Sequence, residues 1–296
     1  MERHSDRSVL RSGALAYRGW LAVVVLLCPL GCTPRDPLWF HRLAADGDVP
    51  GIERALRRGA DVDDRSGEGL TPLMLAATYD HADAARVLLS AGTDPRAVDY
   101  EGSTALHWAA MGGVSPEMVQ ALLDAGVPID AVADDGATPL TLAAMAGYTE
   151  TMRCLLSHGA NCHGPPGERR TPLLSAARHS ADTTMLLLGA DPGGWAPQEL
   201  AAPFRRAATF DRADTIEALL RAGAPIDSQD GPTGGTALHA AVGENACNAI
   251  RVLLDHNADT QVRDRKGRTP LDLAKEIGST EAAELLEARG TGSRRR

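Results

Sequence analysis

The chain has 296 residues, of which 44% are hydrophobic and only 4% aromatic, and its formal net charge is −9. This much apolar material is enough for a folded core, so the composition excludes a wholly disordered chain. Residues 1–32 hold four arginines and two acidic residues, which leaves 26 basic and 37 acidic residues in the remainder. An acidic body argues against a nucleic-acid partner, because phosphate binding depends on clustered Lys and Arg.

The first element in chain order is a short apolar segment that follows a basic one. Four arginines precede eleven uncharged residues, Trp20–Leu30. As a helix these residues would reach about 16 Å, which is short of the roughly 30 Å of a hydrocarbon layer. A basic flank, a short apolar stretch and then small residues are typical of a secretory signal, so residues 1–31 are predicted to be a signal peptide.

The segment ends in Leu30-Gly31-Cys32, which resembles the lipobox of bacterial lipoproteins, although Pro29 stands where that family usually has Leu. The resemblance implies that Cys32 is acylated and becomes the mature N-terminus, with residues 32–36 as a short tether. Thr33, in place of an Asp, implies the outer membrane, facing the periplasm. An uncleaved signal anchor and a cleaved signal of a secreted protein are the alternatives.

A seven-residue block recurs through the rest of the chain at steps of 33, 34, 33, 31, 34 and 33 residues. Its copies begin at Thr71, Thr104, Thr138, Thr171, Ala202 (a degenerate copy), Thr236 and Thr269. Within a copy, Thr can cap a helix, Pro suits the first turn, and the Leu and Ala positions form one apolar face. A second block with a Leu-Leu pair follows and ends at Gly or, once, at Asn257, as a left-handed helix end requires. Neither helix can bury its face alone, so the units are predicted to stack.

The Thr-Pro-Leu-His-x-Ala block and its period resemble the ankyrin repeat family over residues 37–290. The resemblance implies an all-α solenoid of about eight repeats, each a helix-turn-helix with a β-hairpin finger loop. The first repeat lacks the Thr-Pro start and is expected to be a cap, and the last helix is expected to present a polar outer face. Residues 291–296 are predicted to be a basic, disordered tail.

The fifth repeat is shorter than its neighbours. Gly189 comes twelve residues after Ala177, where the corresponding step in the neighbouring repeats is fifteen or sixteen, which predicts a shortened turn between its helices. A Pro- and Gly-rich run follows before the degenerate copy at Ala202. We therefore expect a kink or an altered finger around residues 178–203.

No catalytic motif or phosphate-binding loop occurs, so the sequence predicts neither an enzyme nor a cofactor. His107 and His239 occupy the block position that favours His in ankyrin repeats, where the imidazole usually links neighbouring loops. Trp108 takes a position filled elsewhere by Leu and is predicted to be a packing residue.

Cys154, His158, Cys162 and His163 form one group with plausible metal ligands, and a metal site there is the alternative function. Cys154 and His158 lie one helical turn apart and could share a face. In an oxidising compartment a disulfide between Cys154 and Cys162 is a further alternative. Cys247 lies about three repeats away and is predicted to be a lone buried thiol.

The ankyrin resemblance implies a partner protein on the concave face made by the finger tips and first helices. Tyr, Trp and Arg often dominate interface energies, so Tyr100 and Trp195 are favoured among the tip residues. The tip residues are Arg65, Glu68, Tyr100, Glu101, Asp134, Asp135, Glu168, Arg169, Arg170, Trp195, Asp230, Arg265 and Lys266. The sequence thus predicts a monomeric, envelope-tethered module that scaffolds, protects or inhibits another protein; a secreted effector acting on a host is the alternative.

Overall fold

The computed structural model describes residues 38–167 and 170–292, with side chains up to Arg289, and shows eight helix pairs there. The first helices of the pairs are Trp39–Ala45 (α1), Pro72–Thr78 (α3), Ala105–Gly112 (α5), Pro139–Ala146 (α7), Pro172–Ala176 (α9), Pro197–Thr209 (α11), Ala237–Gly243 (α13) and Pro270–Ile277 (α15). The second helices are Val49–Arg57 (α2), Ala82–Ser90 (α4), Pro116–Asp124 (α6), Thr149–Ser157 (α8), Ala181–Leu188 (α10), Ala213–Arg221 (α12), Cys247–Asp255 (α14) and Thr280–Gly292 (α16). The signal segment, Cys32, the tether, Glu168 and Arg169 lie outside the described residues.

The helix pairs fall into two compact units, one ending at Pro128 and one beginning at Ile129. In the first unit α1, α3 and α5 pack in one row and α2, α4 and α6 in a second row. In the second unit the first helices α7 to α15 form one row and the second helices α8 to α16 another. Each unit is therefore an all-α stack of repeats, as the sequence predicts.

The predicted β-hairpin fingers are turns in the structure. Among the described residues there is one isolated β-bridge, between Val98 and Thr104, and no strand. The turns are closed by short backbone bonds such as that from Asp264 N to Arg268 O, at 2.9 Å. The expectation of hairpins was wrong, because these backbone bonds leave too few consecutive backbone pairs for a ladder.

The threonine of each Thr-Pro block caps its helix with the side-chain hydroxyl. The Thr138 hydroxyl accepts the N–H of Thr141 at 3.2 Å, and the Thr171 hydroxyl accepts that of Leu174 at 3.2 Å. Each of these caps is followed by a proline in the first turn, where a proline's missing N–H costs nothing. At the other end Asn257 adopts φ +62°, a left-handed conformation that asparagine tolerates better than most residues.

The core is built mainly from the Leu and Ala positions of the two helices. Leu106, Leu140 and Leu173 are fully buried, and Phe204 fills the same block position in the degenerate copy. Trp108 is also buried, as predicted, and its indole N–H donates to the Asp99 carboxylate at 2.9 Å. The side chains that mark the repeat in the sequence are thus those that hold each unit together.

The shortening of the fifth repeat falls in its helices and not in the turn between them. Helix α9 has five residues and α10 has eight, while the turn from Ala177 to Ser180 is no shorter than the others. Ser180 is extended and its hydroxyl accepts the N–H of Thr183, so the chain must leave the α9 helix before this cap. The expected short turn was therefore wrong.

The degenerate sixth copy begins its helix earlier than the block does. Ala202 cannot cap, and α11 starts instead at Pro197, where the Glu199 carboxylate accepts the N–H of Ala196 at 2.9 Å. Pro203 then lies inside the helix. The altered structure expected around residues 178–203 is thus a short α9 followed by a 13-residue α11.

The two terminal repeats close their units with polar contacts. In the first repeat the buried His41 Nε2 lies 2.9 Å from the Leu70 carbonyl of the second repeat. In the last repeat Glu281, Glu284 and Glu287 are exposed, as predicted. Helix α16 runs to Gly292 and so enters the segment expected as a tail. In the described part of the chain no helix is both long and apolar enough to cross a membrane.

Candidate protein-binding surface

An aspartate at the start of the turn organises the finger of the last repeat. Asp264 Oδ1 accepts the N–H groups of Lys266 and Arg268, both at 2.9 Å, and its Oδ2 accepts two N–H groups of the Arg268 guanidinium. Burial by itself would raise the pKa of Asp264, but these hydrogen bonds prevail and lower it to about 2. The charged Asp264 carboxylate therefore stabilises the turn of its finger.

The block histidines connect elements as the family resemblance implies. His239 Nδ1 accepts the N–H of Thr236 at 3.2 Å, and its Nε2 lies 3.0 Å from the carbonyl oxygen of Arg268 in the next repeat. His107 Nδ1 likewise accepts the N–H of Thr104 at 3.1 Å. Both imidazoles are buried and each contacts the threonine of its own block, so they act structurally.

Most of the predicted tip residues are exposed. Tyr100 is the most open of the large apolar side chains, at 68% exposure. Asp230 is half-buried, and the hydrogen bonds that it accepts from Thr233 and Gly235 lower its pKa against the opposing effect of burial. The tip residues with exposed side chains are Arg65, Glu68, Tyr100, Glu101, Asp134, Asp135, Arg170, Arg265 and Lys266.

Trp195 lies in a packed corner and is only half-exposed. Its ring packs on that of His163 with centroids 4.2 Å apart, and its buried indole nitrogen has no hydrogen-bond partner in the described structure. His163 lies between two carboxylates, with Nε2 3.2 Å from Asp191 and Nδ1 2.9 Å from Glu199. Trp195 therefore contributes to the fold at this irregular finger, which makes Tyr100 the more accessible of the two aromatics.

The four residues suggested as metal ligands do not converge. Cys154 Sγ lies 3.8 Å from His158 Nδ1, but His163 is engaged with the two carboxylates. In residues 38–167 and 170–289 no group of three or more His, Cys, Asp or Glu side chains is arranged to hold a metal ion. The geometry therefore does not favour the alternative metal site.

The three described cysteines carry free thiols. Cys154 and Cys162 are buried, and burial raises the pKa of each thiol, helped at Cys162 by Asp191 and Glu199. Cys247 is partly exposed, so the prediction that it is buried was wrong; it precedes most of the apolar face of α14. Raised pKa values keep these thiols protonated and disfavour nucleophilic roles.

An arginine group that was not predicted from the sequence is formed by the fifth and sixth repeats. The guanidinium carbons of Arg178 and Arg206 each lie 5.8 Å from the centre of the Phe210 ring. Burial lowers the pKa of Arg206, and the charges of Arg178 and Arg170 lower it further. The signal was in the block itself, because Arg206 stands where other copies have Leu75, Leu142 and Leu273.

Three matches to the ankyrin repeat model cover residues 40–133, 113–193 and 204–292, and the chain belongs to this family. Ankyrin repeats are protein-protein interaction modules and are generally non-enzymatic. The class of protein defined by the stacked helix pairs is therefore a protein-binding repeat protein.

Similar proteins place the same repeats in several settings. The chain is 27% identical over 276 residues to the E3 ubiquitin-protein ligase KEG of Arabidopsis thaliana. This match covers 86% of this chain but only 15% of that protein. The crystal structure of the human ASB11 ankyrin repeat domain matches 87% of this chain and 98% of its own, with a TM-score of 0.52 and 24% identity. The ankyrin repeat domain of Bcl-3 matches 87% and 99%, with a TM-score of 0.50 and 26% identity.

Proposed function

We propose that the chain is a monomeric, non-enzymatic protein-binding module tethered in a bacterial cell envelope, where it scaffolds, protects or inhibits a partner protein. The binding role is supported above all by the exposed finger tips that project from stacked repeats, with Tyr100 as the most open aromatic. An exposed tyrosine on a rigid turn offers a large contact area at little cost in conformational entropy.

The support for the membrane tether lies in the N-terminal sequence. The basic flank, the apolar residues Trp20–Leu30 and Cys32 together make an acylated N-terminus at the outer membrane the preferred localisation. An acyl chain contributes about 0.8 kcal/mol for each buried methylene, and more than one chain gives a stable anchor. A secreted form without the anchor is the alternative.

Labelling of cells with a fatty-acid analogue tests the tether. We expect the unaltered chain to take up label and to fractionate with membranes, while Cys32→Ser abolishes both, because the thiol is the acylated group. Cys247→Ser is the matched control, since Cys247 is partly exposed and lies in the folded body. Equal labelling of the unaltered chain and Cys32→Ser would contradict lipidation at Cys32.

Affinity capture from envelope extracts tests the binding role. We expect the full chain to retain a specific protein and Tyr100→Ala to retain it at least about tenfold more weakly, as for a central interface aromatic. Met185→Ala on the second helix α10 is the control, because it removes a side chain that is 45% exposed on another surface. Failure of the unaltered chain to retain any protein specifically would refute the role.

A further inference from the structure

The group formed by Arg170, Arg178, Arg206 and Phe210, here called the Arg–Phe cluster, lies within the second unit. Arg206 belongs to the first helix α11, and Phe210 follows directly after it. Arg178 lies in the preceding repeat, just after α9, and Arg170 at that repeat's finger tip. The short α9 brings tip and turn close together, since five helical residues span only about 7.5 Å.

Two arginines of the cluster, Arg178 and Arg206, carry positive charge that no described carboxylate pairs with. Among the described residues neither the Arg178 nor the Arg206 guanidinium takes part in an ion pair, and Arg206 Nε is buried with no hydrogen-bond partner. The Arg212 Nε donates to the Arg178 carbonyl at 2.9 Å, so the guanidinium of Arg212 adds a further positive charge beside the cluster.

Two described carboxylates near the cluster already have partners. Asp135 is paired with Arg170. Asp211, next to Phe210, accepts the Asn248 side-chain amide at 2.8 Å and the N–H of Ala249 at 2.7 Å. Within residues 38–167 and 170–289 no carboxylate pairs with Arg178 or Arg206, so both guanidiniums are available to an external anion.

The side chains at the block positions that match Arg206 in the two neighbouring repeats are small. The neighbouring repeats have Ser175 and Ala240 at the same block position, where other repeats have Leu or Trp. Phe210 is 42% exposed, and its aromatic ring lies against the guanidiniums of Arg178 and Arg206. A planar, charged fork on an aromatic ring is well suited to a carboxylate, which it can bind through two parallel hydrogen bonds.

We propose that the Arg–Phe cluster is a docking surface for an acidic segment of a partner protein, whose Asp or Glu carboxylates pair with Arg178 and Arg206. Charge complementarity identifies the occupant. A nucleic acid fits less well, because the chain as a whole carries −9 and would repel a phosphate backbone outside this small area. The inference rests on the proposed protein-binding role and names the class of partner.

Fluorescence anisotropy of the full chain with labelled oligoglutamate, oligoglutamine and single-stranded DNA tests the proposal. We expect oligoglutamate to bind, and Arg206→Gln and Arg178→Gln each to weaken it about tenfold, the loss of one charge-assisted pair. Arg221→Gln is the matched control, because it removes the same charge from the second helix α12 of the same repeat, where Arg221 is paired with Glu217. That control should leave binding within about twofold of the unaltered chain.

A stability measurement separates a binding role from a structural one. Arg206→Leu restores the residue of the other copies and removes a half-buried charge without a partner, so it should raise Tm while it weakens peptide binding. A lowered Tm would assign Arg206 to the fold and overturn the proposal. So would an absence of oligoglutamate binding, equally tight binding of oligoglutamine, stronger binding of DNA, or an equal loss with Arg221→Gln.

Affinity capture distinguishes this inference from the proposed function. If the unaltered chain and the Arg178→Gln and Arg206→Gln variants retain the same protein equally, the binding role stands and the acidic docking surface is refuted. If the unaltered chain retains nothing while it binds oligoglutamate, the binding role is refuted and the local anion preference stands.

Discussion

At the scale of single residues, Asp264 shows how one side chain fixes a finger. Its carboxylate is buried and accepts hydrogen bonds from two backbone N–H groups and from the Arg268 guanidinium. Charge-assisted hydrogen bonds contribute more than neutral ones, so Asp264→Asn should lower the free energy of unfolding by about 1–3 kcal/mol near neutral pH. Urea unfolding followed by circular dichroism measures this, with Asp134→Asn at an exposed tip as the control.

The same residue predicts a pH dependence. Because the folded-state pKa of Asp264 is lowered from 3.8 to about 2, its contribution is complete above 3.8 and is lost as the pH falls toward 2. The difference in unfolding free energy between the unaltered chain and Asp264→Asn should therefore shrink over this interval. If this difference in unfolding free energy stays constant from neutral pH to pH 2, the stabilising role of the Asp264 carboxylate is contradicted.

At the scale of elements, the sequence predicts what depends on local chemistry. The caps at Thr138 and Thr171, the prolines behind them and the left-handed Asn257 follow from rules that involve a few neighbouring residues. These signals place helix starts and ends, and hence the repeat pairs, without knowledge of any distant contact.

In the irregular fifth and sixth repeats these local rules do not predict where the helices begin and end. The gap at Ala177–Gly189 revealed missing residues, but whether a turn or a helix loses them depends on Ser180 as a competing cap. Likewise the start of α11 at Pro197 depends on the Glu199 side chain reaching back to Ala196. Trp195 looked like an open tip residue, and only its tertiary contact with His163 shows that it is packed.

At the scale of the whole molecule, stacking explains why the candidate surface lies on turns and first helices. Helix faces that carry the repeat pattern, such as those of Leu106 and Leu173, are buried by packing within each unit and cannot contact a partner. Residues that depart from the pattern remain available to a partner, and Arg206 is such a residue at a core position of the block. The place of a residue in the repeat predicts which residues lie at the tips but does not predict a role for Arg206, because a single copy does not show which charges lie together without partners.

Hydrogen–deuterium exchange of the full chain, with and without a partner obtained by capture, tests the central claim that this stack binds another protein through its tips and first helices. We predict slower exchange on binding in the turn around Tyr100 and in the first helices, including α11 at Arg206, and little change in α10 or α14. Slowing confined to the second helices would contradict the account.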